Sequence, residues 1–382
     1  TIQIRPTPIA YATGGGTNIC NGSTPNIDVS GNITDGPMRF RIQRTGGSNI
    51  TGIGTNSYVN LGTGGSYAIP ALTNTTNTAQ VVTFTVTPYS NYDDNNDNNN
   101  DCGGAPITVT VTVQPDVDPG TIGNDQVLCI GGDPDEFTEL TSASGLDLSY
   151  QWQMSTTNST TGFTDIAGAT GDTYDAPGPL TQTTWFRRVA TSTVNSVVCN
   201  PVPSPSIEVT INDINPGSII GDQTICDGGT PSVLSSTTNA TGGGTISYQW
   251  QRNTTGCGGT WVSISGATSE TYNPPAGLTN TTYYQRVATS TLNGESCTDV
   301  SNCVVVNVNK VTGGEIGNDQ VICGDNPDAF TVITPATGTG TLSYQWQIST
   351  TSPTTGFSNI SGATGTSYDP PSTITVTTYY RR

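Results

Sequence analysis

Tyr150-Gln-Trp-Gln153 decides the fold of this chain, because the same four residues return as Tyr248-Gln-Trp-Gln251 and Tyr344-Gln-Trp-Gln347. A cysteine opens the segment around each copy, and these cysteines lie 97 residues apart: Cys129, Cys226 and Cys323. A fixed period of this length indicates one domain copied in tandem. The fold of the chain is then largely the fold of one such unit.

The period divides the 382 residues into four predicted domains. Their bounds are 1–114, 115–212, 213–309 and 310–382. The first domain diverges from the others and lacks their central Trp. The fourth stops before its last strand, because Arg381-Arg382 aligns with Arg187-Arg188, after which the second domain continues. We therefore expect the chain to be a segment of a longer polypeptide.

The composition excludes several classes of function. The formal net charge is −18, because 29 acidic residues face 11 basic ones. Such a surface repels nucleic acid and anionic membranes, since binding either requires clustered cations. The chain has no histidine, which removes Ser-His-Asp triads, most acid–base pairs and the usual zinc sites. We expect no enzyme activity, no nucleic acid partner and no direct membrane insertion.

Short alternating segments separated by turn residues predict an all-β fold. In the second domain these segments include 121–128, 146–153, 183–191 and 207–211. About seven short strands with turns every 8–12 residues are typical of an antiparallel sandwich of the immunoglobulin type. The joints between units are short and contain Pro or Gly, which limits how far neighbouring domains swing. We expect tandem immunoglobulin-like β-sandwich domains arranged as a rod.

Six aromatic residues form the predicted core signature of the repeats. Each Trp of the motif is followed 33 residues later by a second aromatic side chain, near the start of the longest strand: Trp152 and Trp185, Trp250 and Tyr283, and Trp346 and Tyr379. A fixed register of large apolar side chains is expected of packed cores and not of a disordered polar chain.

Nine cysteines fit one pairing scheme when the repeat is applied. Each unit pairs its opening cysteine with one near its end, and two further cysteines of the third unit pair with each other. The predicted disulfides are Cys20–Cys102, Cys129–Cys199, Cys226–Cys297 and Cys257–Cys303, with the partner of Cys323 beyond the chain end. The alternative is a set of buried free thiols. Disulfides at domain spacing indicate an oxidising compartment, and so a secreted or surface-exposed protein.

Acidic residues offer two candidate cation sites. The loop from 93 to 101 is dense in oxygen ligands, and its candidate calcium set is Asp93, Asn95, Asp97 and Asp101. The loop lacks the Gly and the distal Glu of an EF-hand, and the alternative is a solvated loop. A second set recurs near the joints, where it either binds a cation between domains or caps a turn: Asp125, Asp222 and Asp319. No other cofactor is expected.

The repeated residues resemble a known group of domains. The order Cys, Tyr-Gln-Trp-Gln, Ile-x-Gly-Ala-Thr and Leu-Thr-x-Thr-Thr is similar to that of immunoglobulin-like and PKD-like repeats in very large surface proteins of Bacteroidota. The first domain, with Leu72-Thr-Asn-Thr-Thr76 and Thr83-Phe-Thr-Val-Thr-Pro88, resembles the PKD-like kind. Proteins of this group include gliding-motility adhesins exported by the type IX secretion system.

The resemblance implies a structural segment of an extracellular adhesin, which spaces a binding tip from the cell. The expected partners are other domains of the same polypeptide and neighbouring chains in a filament. The alternative is that the repeats themselves bind glycans or host or substratum surfaces. Phe163, Trp261 and Phe357 share one repeat position, where they either stack on sugars or pack within the domain.

Overall fold

The computed structural model describes residues 6–33, 38–52, 56–61, 64–90, 102–123, 125–194 and 196–382. None of these residues is helical, so the described chain is all β. It divides into two compact units, Thr1–Ile211 and Asn212–Arg382. No helix of the described residues is long and apolar enough to cross a membrane.

The strands follow the chain in four groups. In the first domain they are β1 (Ala10–Thr13), β2 (Thr17–Ile19), β3 (Asn26–Gly31), β4 (Met38–Arg44), β5 (Ile50–Thr51), β6 (Asn56–Asn60), β7 (Gly64–Ala68), β8 (Thr73–Asn74), β9 (Gln80–Ser90), β10 (Cys102–Gly103) and β11 (Ile107–Val113). In the second they are β12 (Thr121–Ile122), β13 (Gln126–Cys129), β14 (Glu139–Thr141), β15 (Leu148–Ser155), β16 (Thr164–Asp165), β17 (Thr184–Val194), β18 (Val197–Val198), β19 (Val202–Pro203) and β20 (Ile207–Asn212).

The remaining strands belong to the third and fourth domains. The third has β21 (Ile214–Asn215), β22 (Ser218–Ile220), β23 (Gln223–Cys226), β24 (Ser235–Thr238), β25 (Thr241–Gly242), β26 (Thr245–Asn253), β27 (Val262–Ser263), β28 (Thr282–Leu292), β29 (Glu295–Val300) and β30 (Val304–Asn309). The fourth has β31 (Val311–Thr312), β32 (Glu315–Gly317), β33 (Thr331–Thr334), β34 (Thr337–Gly338), β35 (Gln347–Ser349), β36 (Ser358–Asn359) and β37 (Tyr379–Arg381).

Each full repeat is a sandwich of a small sheet and a large one. In the second domain β12 pairs with β14, while the large sheet has the order β13-β20-β17-β15-β16. The third domain repeats this arrangement with β22-β24 and β23-β30-β28-β26-β27. The opening strand thus changes sheet partway, which is why the predicted strand 121–128 is divided in two. The domains are tandem immunoglobulin-like sandwiches.

The sheets differ in one respect from the predicted antiparallel arrangement. The second part of the opening strand runs parallel to the last strand, as β23 does beside β30 and β2 beside β11. The opening strand keeps its direction as it passes from the small sheet to the large one. This direction is the same as that of the last strand, so the two strands pair in parallel. The alternation of apolar residues does not distinguish the two directions, because both put alternate side chains on one face.

Aromatic side chains fill the cores, as the motif predicts, but not all six predicted residues take part. Trp152, Trp250 and Trp346 are each 0% exposed. Trp185, Tyr283 and Tyr379 are only partly buried, and their prediction as core residues was wrong. The next residue of the strand points inward instead, since successive side chains face opposite sides of a sheet. These inward neighbours are Phe186 at 2% exposure, Tyr284 at 0% and Tyr380.

Candidate functional site

The Tyr-Gln-Trp-Gln motif builds the domain. In the second domain, Trp152 Nε1 donates to the carbonyl of Gly171 at 3.0 Å. Gln151 Nε2 donates to the carbonyls of Trp152 and Ile166 at 2.9 and 2.8 Å, which holds the Ile-x-Gly-Ala-Thr turn against the strand. The same bonds recur in the third and fourth domains. These polar groups are therefore occupied by the fold itself.

An arginine of each repeat, buried in the second and third domains and partly exposed in the fourth, binds the joint that precedes its domain, and we call it the clamp arginine. In the second domain it is Arg188, which lies fully buried on β17. Its Nη1 donates to the carbonyl of Asp172 at 2.7 Å, and its Nη2 donates to the carbonyl of Pro119, in the joint, at 3.0 Å. Glu139 Oε1 lies 2.6 Å from Nη1. The ring of Tyr150 lies 4.3 Å from the guanidinium carbon.

The clamp arginine returns at the same position in the next two domains. Arg286 is 0% exposed and donates to the joint carbonyl of Pro216 at 3.2 Å, the carbonyl of Glu270 at 2.8 Å and Ser236 Oγ at 2.6 Å. Arg382 makes the equivalent bonds to the carbonyls of Thr366 and Gly313, at 2.6 and 3.1 Å. Hydrogen bonds from a charged donor are stronger than neutral ones, so each joint has one firmly held carbonyl.

Burial acts on the charge of the clamp. It lowers the pKa of the Arg286 guanidinium, while Tyr248 and then Glu270 raise it again. An arginine pKa starts so high that the group stays protonated at neutral pH. Burial also raises the pKa of the neighbouring core residue Tyr284 to about 12, with a further contribution from Tyr272.

One glycine of each joint permits the turn that brings the chain under the clamp. Gly120, Gly217 and Gly314 have φ angles of 66°, 69° and 67°, where only glycine is unstrained. A Cβ atom at Gly217 would overlap the carbonyl oxygen of Thr238, and equivalent carbonyls stand at the other two positions. Any other residue would therefore displace the joint from the domain.

Polar contacts hold the start of the joints as well. Asn212 is 0% exposed; its Nδ2 donates to the carbonyl of Ser290 at 2.9 Å, and Ser290 Oγ donates to its Oδ1 at 2.7 Å. At the following joint, Thr339 Oγ1 donates to Asn309 Oδ1 at 2.7 Å and accepts from the backbone N–H of Lys310 at 3.2 Å. Short strands add backbone pairing, β21 with β25 and β31 with β34. The joints are thus built into the domains that follow them.

A disulfide between domains replaces two of the predicted disulfides within domains. Cys20 of the first domain is bonded to Cys199 of the second, with Cα atoms 5.3 Å apart. The predicted pairs Cys20–Cys102 and Cys129–Cys199 are therefore wrong. Cys199 lies at the hairpin after β17 and is 7% exposed, where a cysteine of the preceding domain reaches it. The bond links neighbouring repeats covalently.

The other cysteines divide into bonded and free ones. The predicted bridge Cys257–Cys303 is present in the third domain. Cys129 and Cys297 are also disulfide-bonded. Cys226 is an exposed free thiol, so the predicted pair Cys226–Cys297 is wrong. Cys102 and Cys323 are exposed free thiols too.

The recurring aspartates hold the last strand of each full repeat. Asp125 Oδ1 accepts the backbone N–H of Glu208 at 2.7 Å, and Asp222 Oδ1 accepts that of Val305 at 2.7 Å. Each carboxylate thus binds a strand 83 residues later in the sequence, instead of capping the turn in which it lies. Among the described residues, no three His, Cys, Asp or Glu side chains form a group that would hold a metal ion.

Two predicted ligand sites have different outcomes. The candidate calcium residues Asp93, Asn95, Asp97 and Asp101 lie outside the described residues, so calcium binding stays a prediction. Of the three candidate sugar-stacking residues, Phe163 and Phe357 each face a guanidinium, with the carbons of Arg187 and Arg381 at 4.0 and 4.1 Å from the ring centroids. Trp261, at the same repeat position, is partly buried, and for its ring the role stays a prediction. The two Phe rings differ from it in this contact. One face of each Phe ring is therefore covered by the protein itself.

Comparison with protein families identifies the repeats. Residues 118–213, 215–310 and 312–382 each match the model of one family, a domain of unknown function designated DUF8696. The chain belongs to the DUF8696 family. The divergent first domain precedes the three matches. No curated protein sequence matches the chain.

Solved structures of immunoglobulin and fibronectin type resemble the DUF8696 chain only distantly. The titin I-band fragment I67–I69 is 8% identical, with a TM-score of 0.36 over 80% of this chain and 99% of that one. The ICAM-5 D1–D4 ectodomain fragment is 10% identical, with a TM-score of 0.30 over 86% and 84%. The fibronectin(III)-like modules of Clostridium thermocellum CbhA are 12% identical, with a TM-score of 0.24 over 54% and 95%. Likenesses of this size carry no argument about function.

Sequence reasoning missed the clamp arginine, although its signal is present in every DUF8696 repeat. An arginine follows the second aromatic residue of each repeat by three positions: Arg188 after Trp185, Arg286 after Tyr283, and Arg382 after Tyr379. The chain has few basic residues, so an arginine at a fixed distance from the core aromatics in every repeat indicates a buried side chain. An arginine on the surface would not need to stay at a fixed distance from the core.

Proposed function

We propose that this chain is a segment of the stalk of a large extracellular bacterial surface adhesin, which spaces a binding tip from the cell. The resemblance to repeats of giant Bacteroidota adhesins motivates this assignment. The observation that carries it is the clamp arginine, which binds a joint carbonyl in each DUF8696 repeat. A spacer needs joints of defined geometry. The polar side chains that recur in these repeats form hydrogen bonds within the joints and within the domains.

The disulfide between the first and second domains supports a mechanical role. Cys20 and Cys199 are separated by 179 residues in sequence and 5.3 Å in space. A pull on the chain ends passes through the sulfur–sulfur bond, so the intervening residues bear little of the load. Disulfides persist in oxidising compartments, which supports an extracellular location.

The alternative, in which the repeats bind glycans themselves, has weaker support. The rings of Phe163 and Phe357 each lie against a guanidinium, and a sugar that stacks on that face would have to displace it. The repeated polar side chains described above are hydrogen-bonded within the protein. A spacer also accounts for the motifs that the repeats share, whereas a specific binding role is expected in the residues that differ between them.

Two experiments test the stalk assignment. Small-angle scattering of the chain is expected to give the profile of an elongated particle, and a compact profile would contradict the spacer function. Antibodies against the chain are expected to label intact cells of the source organism without permeabilisation. Labelling that requires permeabilisation would contradict the surface location.

A further inference from the structure

One patch on the outer face of the large sheet differs between the repeats. In the third domain, Gln251 on β26 lies directly opposite Ser263 on β27 and Gln285 on β28. The neighbouring Trp250 is fully buried in the core, so these three side chains point to the outside of the sandwich. Trp261 lies two residues before Ser263. We call these residues the outer patch: Gln251, Trp261, Ser263 and Gln285.

In the second and fourth domains, an arginine covers the aromatic ring at the position of Trp261. The guanidinium carbons of Arg187 and Arg381 lie 4.0 and 4.1 Å from the ring centroids of Phe163 and Phe357. The Nε of each arginine also donates to the last glutamine of the Tyr-Gln-Trp-Gln motif, at 2.7 Å. Ring, arginine and glutamine thus satisfy one another in these two domains.

The third domain keeps the hydrogen bond but has no guanidinium over the ring. Gln285 stands at the position of Arg187 and Arg381, and its Nε2 donates to Gln251 Oε1 at 2.7 Å. An amide cannot replace a planar guanidinium stacked on an aromatic face. Among the described residues, no cation and no second ring contacts the ring of Trp261, and its indole N–H has no acceptor. The ring is partly buried, so it is fixed on one side and accessible on another.

A second difference leaves hydrogen-bonding groups for a ligand. In the second and fourth domains, the motif glutamine donates from Nε2 to a carboxylate or amide oxygen at 2.8 Å. The third domain has Ser263 there, with Oγ 3.5 Å from Gln251 Nε2. A hydrogen bond of this length is weak. Gln251 Nε2 is therefore a donor for a ligand, and Gln285 Oε1 is an acceptor.

A disulfide holds the loop that precedes Trp261. Cys257 in this loop is bonded to Cys303, just before β30. In the second domain the equivalent residues are serines, and a single hydrogen bond joins them, from Ser206 Oγ to the carbonyl of Ser159 at 3.0 Å. A covalent tether restricts the loop more than one hydrogen bond does. Binding to a restricted site costs less conformational entropy.

The chemistry of the outer patch fits a neutral sugar. The negative face of an aromatic ring attracts the polarised C–H groups on the apolar face of a pyranose, while side-chain amides exchange hydrogen bonds with its hydroxyl groups. An aromatic surface with a few placed polar groups is the usual form of a small-molecule site. No residue of the outer patch is charged, and the formal net charge of −18 opposes anionic ligands.

We propose that the outer patch of the third domain binds neutral hexopyranosides, the class of sugar found at the ends of many glycans. Trp261 stacks on the apolar face of the sugar, Gln251 Nε2 donates to one hydroxyl group, and Gln285 Oε1 accepts from another. The site belongs to one repeat, and it lies in residues that the other repeats do not share. It does not rest on the stalk assignment, because a spacer functions with or without it.

Saturation-transfer NMR on the full oxidised chain tests the proposal. The probes are methyl β-D-glucopyranoside and methyl β-D-galactopyranoside. We expect saturable transfer to at least one of them with a dissociation constant of about 1–10 mM, since one ring and two amides form a weak site. Transfer should be strongest at the C–H protons on one face of the sugar ring. No transfer to either sugar would overturn the proposal.

Three variants identify the site. Gln285→Arg supplies the guanidinium of the other repeats, keeps Trp261, and should weaken binding at least about fivefold by covering the ring. It adds a contact that the second and fourth domains already hold, so the fold is preserved. Trp261→Ala should weaken binding at least about tenfold. Phe163→Ala is the matched control, because it removes a covered ring at the same repeat position, and it should leave affinity unchanged.

Two further results would overturn the proposal. Unchanged affinity in Gln285→Arg and Trp261→Ala would place the sugar elsewhere on the chain. Binding of methyl β-D-glucuronide as tight as that of methyl β-D-glucopyranoside would show that the site does not prefer neutral sugars. Neither result bears on the stalk assignment, which the scattering profile tests separately.

Discussion

The bond between Cys20 and Cys199 predicts how far the chain extends under tension. The two cysteines are 179 residues apart in sequence. While the bond is intact, a force on the chain ends bypasses these residues, even if their sandwiches unfold. Each released residue adds roughly 3.3–3.6 Å of contour length, so loss of the bond should lengthen the extended chain by about 600 Å.

Optical tweezers attached to the two ends of the chain measure this length. Cys129 and Cys297 are also disulfide-bonded, so the parent for the comparison carries Cys129→Ser and Cys297→Ser, with its free thiols alkylated. The test variant adds Cys20→Ser and Cys199→Ser. Cys257–Cys303 is present in both chains and cancels from the difference. We expect the test variant to extend about 600 Å further than its parent.

The size of the difference separates the alternatives. A bond between Cys20 and Cys102 would enclose 102 − 20 = 82 residues, and its loss would add only about 290 Å. Equal contour lengths would mean that no bond bypasses this part of the chain. Either result would refute the force path through the first and second domains.

Three substitutions test the joints and the core. Arg286→Met leaves the carbonyls of Pro216 and Glu270 without their donor, and should lower the local stability of the joint by about 3 kcal/mol. Amide exchange at residues 214–217 should then become about 100-fold faster. Arg252→Met, at an exposed position, should leave this exchange nearly unchanged. Gly217→Ala forces a strained φ of 69° and should cost the same joint at least about 1 kcal/mol, measured in the same way. Burial raises the pKa of Tyr284 to about 12, whereas the side chain of the unfolded chain ionises near pH 10. The stability that the neutral phenol contributes is therefore present below pH 10 and is lost as the pH rises to 12. Tyr284→Phe should remove this alkaline loss, about 2–3 kcal/mol in the free energy of unfolding, as measured by denaturant titrations.

The repeat pattern was sufficient to predict the sandwiches and their central Trp residues. A Trp that recurs in fixed register is expected of a packed core, since such cores are dense and depend on the size and shape of their side chains. The pattern did not show that Phe186 and Tyr284, and not Trp185 and Tyr283, face inward. In each repeat the two neighbouring residues, Trp185 and Phe186 or Tyr283 and Tyr284, are both aromatic. Which of the two side chains faces the core depends on how the strand pairs in the sheet.

The disulfides could not be assigned from spacing. An opening cysteine and a hairpin cysteine recur with the period of the domains, so a bond within one repeat and a bond between neighbours have the same signature in sequence. Only the placement of the first domain beside the hairpin of the second brings Cys20 to Cys199. The clamp arginine was missed for a similar reason, because its partners are backbone carbonyls, which carry no signal in the identity of the residues.

Peptide mapping without reductant, after the free thiols are blocked, tests the central claim most directly. The claim is that a covalent bond joins the first domain to the second, and that a clamp arginine holds each joint to the domain that follows it. The account predicts a cross-linked pair of peptides that contain Cys20 and Cys199. A peptide pair that joins Cys20 to Cys102, or Cys129 to Cys199, would confine the bonds to single domains and contradict it.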